Sequence, residues 1–292
     1  MLLASLLASL LASLLAAGVP ELAAPDEGRL WRVSRPGVPD SYVLGTIHVA
    51  DRRVARIAPQ VAAALARTRT LALETVPVPL PADALDELET LEGDGRLEPL
   101  IGAEAYARVR GALAAHGLPE TTIARLKPWA AMLKVTRIDA PDDERSLDEN
   151  LFAAALDRRM RVAPLEAVSE QAAAFDTVPV DTQVALLVHA LAHGDELAET
   201  TESAIAAWMR GDLPALAALA RHAGDRFPAM RHHYEALARH LIVNRTAVFH
   251  HRLYLALRDG RVFVAVGASH LEGPAGLLAR LRDDGYRVTP VW

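Results

Sequence analysis

Two rhythms of apolar and polar residues divide this chain, one at its ends and one through its middle. Apolar-rich runs at 30–34 and 42–47 flank Arg35-Pro36-Gly37-Val38-Pro39-Asp40, which predicts a hairpin feeding a strand that stops at His48. Over 54–67, Val54, Ile57, Val61 and Leu65 recur at spacings of three and four, the pattern of a helix with one buried face. A short apolar strand at 70–73 then ends at Glu74. Right-handed crossover makes the two strands of this strand-helix-strand unit parallel if they share a sheet. His48 and Glu74 then lie on the same carboxyl edge, where open α/β sheets bind ligands.

The middle is helical. The proline-rich stretch 76–81 breaks the first pattern, and short helices are expected at 82–91, 103–116, 119–126 and 128–138. A polar loop at 139–146 leads to a helix at 147–159 and an apolar strand at 161–165 that finishes at Glu166. From 170 to 258 the chain reads as Ala- and Leu-rich helix with breaks at Gly194, Gly211-Asp212 and Gly224-Asp225. The end returns to the first rhythm: a buried strand at 261–266, the turn Gly267-Ala268-Ser269-His270, a helix at 273–284 and a strand at 286–291. The expected fold is mixed α/β, a central sheet built from two terminal strand-helix-strand units, with helical cover at 82–160 and 170–258.

At 292 residues, 51% of them hydrophobic, the chain can bury one large core, so a single domain over 19–292 is expected. Residues 2–17, LLASLLASLLASLLAA, are too short for a comfortable membrane span, and Ala16-Ala17-Gly18 fits a small-x-small cleavage site. The reading is a signal peptide at 1–18 and an exported protein, periplasmic or secreted. An uncleaved leader would make a membrane anchor. The opposing reading is an amphipathic first helix with Ser5, Ser9 and Ser13 on one face; it gains from the missing Lys or Arg before the run, but the repeat has no charged outer face.

Charge and composition narrow the chemistry. A net charge of −6, with arginines scattered among carboxylates, argues against nucleic acid as a partner. Without cysteine the chain has no disulfide, thiolate metal site, cysteine nucleophile or lipidated amino terminus. No Gly-x-Ser-x-Gly elbow, Walker loop or dinucleotide fingerprint occurs.

One arrangement occurs twice: Gly45-Thr46-Ile47-His48 and Gly267-Ala268-Ser269-His270, each with glycine at or near the end of an apolar strand. Glycine lets another group approach closely, and imidazole there can bind a metal or move a proton near neutral pH. With Glu74, the two imidazoles make a three-ligand set that leaves a position open for water. Glu166, at the end of a probable strand, and Trp129, as core or pocket wall, are candidate substrate contacts. His189, His193, His222, His232, His233, His240, His250 and His251 read as solvated helix faces and are assigned no catalysis.

These blocks resemble the TraB/PrgY/GumN family, related to the Tiki proteases. The resemblance rests on Tyr42-Val-Leu-Gly-Thr-Ile-His48, Leu71-Ala-Leu-Glu74 and Phe263-Val-Ala-Val-Gly-Ala-Ser-His-Leu-Glu-Gly273, with Lys127-Pro-Trp129, Pro164-Leu-Glu166, Glu170-Gln171 and Asn244-Arg245 in family order. It implies a mixed sheet with helices, a pocket holding His48, Glu74 and His270, and, from Tiki, peptide cleavage dependent on manganese or cobalt. The resemblance also singles out Arg245, which could bind a substrate carboxylate or an oxyanion; where many relatives have Asn or Asp after this arginine, the chain has Thr246. The expected activity is metal-dependent hydrolysis of a peptide or small-molecule substrate. The alternatives are a metal-independent hydrolase, as in the distantly similar erythromycin esterases, and an envelope protein that binds peptide without cleaving it.

Overall fold

The computed structural model describes residues 27–136 and 145–292. The 1–18 leader, the predicted end of the 128–138 helix and most of the 139–146 loop lie outside the described residues.

Six strands form one mixed sheet: β1 (Leu30–Arg35), β2 (Val38–Thr46), β3 (Thr70–Leu73), β4 (Arg161–Pro164), β5 (Val262–Gly267) and β6 (Arg287–Pro290), in the order β4-β3-β5-β2-β1-β6. β1 pairs antiparallel with β2 and β6, while β2, β5, β3 and β4 are parallel neighbours. The sequence explains who sits where. β5 is buried at every position and β3 is almost as apolar, which suits strands covered on both faces. The edge strands β4 and β6 each begin with arginine and end with proline, and both are half-exposed, which blunts pairing with another chain.

The predicted hairpin is present, and so is the first strand-helix-strand unit, with β5 inserted between its two strands. The helix between β2 and β3 is shorter than its apolar spacing implies, Pro59–Leu65 instead of 54–67. Pro59 suits the first helical turn, and the residues before it form a turn in which the Val54 and Ala55 amides bond to the Asp51 carbonyl. Val54 is buried all the same. A second difference falls at Gly224-Asp225, which lies inside the helix Leu213–Arg226; the break comes at Phe227, before Pro228.

Buried apolar residues gather in two clusters. One surrounds the sheet and recruits the helices Leu147–Asp157, Asn244–Asp259 and Leu277–Asp283 together with Trp208. The other is mainly helical, joining residues from 97–133, 172–190 and 234–242. Among the described residues no helix is long and apolar enough to cross a membrane.

Candidate active site

Parallel pairing of β2, β5, β3 and β4 places the residues just beyond their carboxyl ends along one rim. His48 follows β2, Glu74 follows β3, His270 follows β5 and Glu166 follows β4. All four are buried, with His48 at 6% exposure, Glu74 at 3% and His270 at 2%.

Glu74 is the hub. Its Oε1 accepts the Gly267 backbone N–H at 2.7 Å and lies 3.2 Å from His48 Nε2 and 3.7 Å from His270 Nε2. Its Oε2 accepts from Arg245 Nη2 at 2.7 Å. The same guanidinium grips Glu166 side-on, Nε to Oε2 at 3.0 Å and Nη2 to Oε1, and Nη1 bonds the Leu241 carbonyl at 2.9 Å. Four of the roughly five N–H donors of an arginine are thereby committed within the protein. Gln171 Nε2 completes the row by donating to Glu166 Oε1 at 3.0 Å.

The two imidazoles are held from behind by different groups. His48 Nδ1 lies 2.9 Å from Asp148 Oδ2, and the Thr46 hydroxyl donates to Asp148 Oδ1 at 3.0 Å. His270 Nδ1 lies 2.8 Å from the Thr246 hydroxyl, which also contacts the Ile242 carbonyl.

Local structure explains both supports. Asp148 sits in the first turn of Leu147–Asp157, between Ser146 and Glu149, which form a capping box. Thr246 and Arg245 begin the helix Asn244–Asp259 directly after a π-helical segment, Arg239–Val243. The Leu241 and Ile242 carbonyls of that segment accept from the side chains of Arg245 and Thr246, both of which are buried.

A family model described as the TraB/PrgY/gumN family matches residues 29–290. The chain belongs to this family. No curated protein and no solved structure gives a significant match.

In this TraB/PrgY/gumN chain the glycines of the two repeated motifs do different work. Thr46, not Gly45, pairs with Gly267, so the motifs are one residue out of step and their glycines face opposite sides of the sheet. A Cβ on Gly267 would stand 3.0 Å from His48 Nε2 and 3.2 Å from Glu74 Oε1; one on Gly45 would stand 2.8 Å from Leu271 Cδ1 and 3.3 Å from Ala268. Gly267 makes room for the polar centre and Gly45 for packing behind it. Neither glycine has a positive φ, so close approach explains both.

Electrostatics separates the histidines. Burial alone pushes the His48 imidazole down, but Asp148 and Glu74 on either side outweigh it and raise its pKa to about 10. Burial also dominates at His270, where the positive charges of Arg245 and His48 offset the attraction of Glu74, and its pKa falls to about 3. At neutral pH His48 is therefore charged and His270 neutral. Burial opposes ionisation of Glu74 too, yet His48 and Arg245 hold it well below the usual carboxylate range.

Of the six residues singled out in the family's sequence pattern, five meet here: His48, Glu74, His270, Arg245 and Glu166. Trp129 does not. Its ring stacks on Phe175 at 4.8 Å in the helical cluster, and its indole N–H donates to Asp176 at 2.8 Å. Asp148 and Thr246 were missed as contacts of the site. A capping box seldom draws attention to the acid inside it, and a threonine in a helix carries no pattern of its own.

His48, Glu74 and His270 carry donor types that a divalent cation takes. In the described arrangement these groups are bonded to one another, and among the described residues no group of three or more His, Asp or Glu side chains is placed to hold a metal ion.

Proposed function

We propose that this chain is a hydrolase, acting outside the cytoplasm on a peptide or related carbonyl substrate, with water activated at His48, Glu74 and His270. The observation that carries the reading is the convergence of two imidazoles from separate strand ends on one buried carboxylate oxygen. A bound manganese or cobalt ion would polarise the carbonyl and lower the pKa of its water. His48, Glu74 and His270 would hold that ion, and Asp148 would orient His48 through Nδ1 as acidic partners do behind metal-bound histidines. His48 must first release its Nε2 proton. Arg245 keeps Glu74 ionised and correctly aimed, and Glu166 anchors the guanidinium that does so.

A second reading keeps hydrolysis without a metal: an imidazole beside Glu74 acts as general base on water, and that carboxylate orients it. Export rests on the leader-like run at 2–17.

The test is direct. The purified protein is assayed for bound metal and against a peptide library with manganese, with cobalt, and after exhaustive chelation, alongside His48→Ala and His270→Ala. Metal-dependent cleavage lost in both variants supports the first reading; cleavage that survives chelation supports the second. Variants cleaving at the normal rate refute the site, and intact peptides under every condition refute hydrolysis. Amino-terminal sequencing of protein recovered from the cell envelope checks for a cut after Gly18.

A further inference from the structure

Thr246 is buried, and its hydroxyl oxygen has two close partners, the Ile242 carbonyl oxygen at 2.7 Å and His270 Nδ1 at 2.8 Å. A hydroxyl has a single proton to donate, and a carbonyl oxygen can only accept. The bond back to Ile242, four residues earlier, is a habitual one for threonine in a helix and uses that proton. The contact with His270 is then a hydrogen bond only if the imidazole supplies the proton, from Nδ1.

The opposite tautomer loses the bond to Thr246 and gains no hydrogen bond at the other nitrogen. With its proton on Nε2, His270 would face Glu74 Oε1 at 3.7 Å, too far for a hydrogen bond. That oxygen already accepts from Gly267 and lies 3.2 Å from His48. On the other side the Thr246 hydroxyl would have to choose between Ile242 and a bare Nδ1. One bond is lost and none is gained.

We propose that Thr246 is a positioning residue that locks His270 in the Nδ1–H tautomer, so that a bare Nε2 faces the Glu74 carboxylate. An imidazole nitrogen with a free lone pair is the form that ligates a cation or takes a proton from water. The consequence for catalysis rests on the hydrolase reading; the tautomer itself does not.

Long-range proton–nitrogen NMR spectra of the full chain, labelled at histidine and assigned with His270→Gln, read the tautomer directly. The wild type and Thr246→Ser are expected to show a protonated Nδ1 and an unprotonated Nε2 at His270. Thr246→Val, which keeps the shape and removes the hydroxyl, is expected to move most of the population to Nε2–H and lower any turnover by at least about tenfold. Thr246→Ala provides the same comparison if the valine variant does not fold. A wild-type signal from Nε2–H, or an unchanged tautomer without the hydroxyl, overturns the proposal. If the tautomer shifts as expected but the wild type hydrolyses nothing with manganese, with cobalt or without metal, the hydrolase reading fails and the role of Thr246 stands.

Discussion

His48 and His270 leave adjacent parallel strands at nearly the same level, yet one ring is clasped between Asp148 and Glu74 while the other backs onto Thr246 and Phe249. Motif spacing makes them look equivalent. What separates them is the company on the Nδ1 side: a carboxylate stabilises an imidazolium, whereas a neutral hydroxyl cannot repay the loss of water. Two copies of one short motif have thereby become a charged and an uncharged histidine sharing a carboxylate.

The largest effect is expected from removing the group they share. Glu74→Gln strands Arg245 and His48 as buried charges without their common partner, and breaking such an arrangement costs about 3–5 kcal/mol. Urea unfolding at pH 7 measures it, and a loss under 1 kcal/mol would mean that the contacts carry little energy. Hydrolysis, where present, should fall to background.

The pH dependence of stability should have opposite signs at the two rings. His48 is raised to about 10 from 6.5, so its contribution is complete below pH 6.5 and is lost as pH rises towards 10. His270 is lowered to about 3, so its contribution is complete above pH 6.5 and is lost as pH falls towards 3. Urea midpoints across this range for His48→Asn and His270→Asn, each compared with the wild type, should diverge on the alkaline and acid sides respectively. Deviations on the same side would erase the distinction.

Asp148→Asn makes the back of His48 resemble that of His270. The His48 titration midpoint, followed by NMR, should move down towards the ordinary histidine range while His270 hardly moves, and metal affinity or turnover should drop about 10–100-fold. A midpoint that stays put would assign the shift to Glu74 alone.

The smallest effects are expected at the glycines. Alanine at either position overpacks its surroundings at about 1–3 kcal/mol. Gly267→Ala should impair turnover beyond its stability loss, because the new methyl meets His48 and Glu74; Gly45→Ala meets Leu271 and Ala268 and should cost stability alone. Equal effects on turnover would argue against the division of labour.

Much of this centre was legible before any coordinates. Apolar runs ending in His48, Glu74, Glu166 and His270 marked strand ends, and the connection rules for parallel strands put the first two on one edge. The edges of helices were less legible: Pro59 shortened one, and Gly224 failed to end another because nearby helix formers and tertiary packing tolerate a single glycine. Trp129, offered by the sequence as a substrate contact, packs instead in the helical cluster, with its ring stacked on Phe175.

The sequence by itself determined the mixed α/β class and the strand ends that carry His48, Glu74 and His270, because these depend on periodicity over a few neighbours; Arg245 stood out only through the family resemblance. Tertiary structure alone decided that β5 slots between β2 and β3, that Asp148 reaches His48 across 100 positions, and that Thr246 meets His270. It also decided which histidine is charged. Protonation answers to desolvation and to charges a few ångströms away, and both come from distant segments that only the fold assembles.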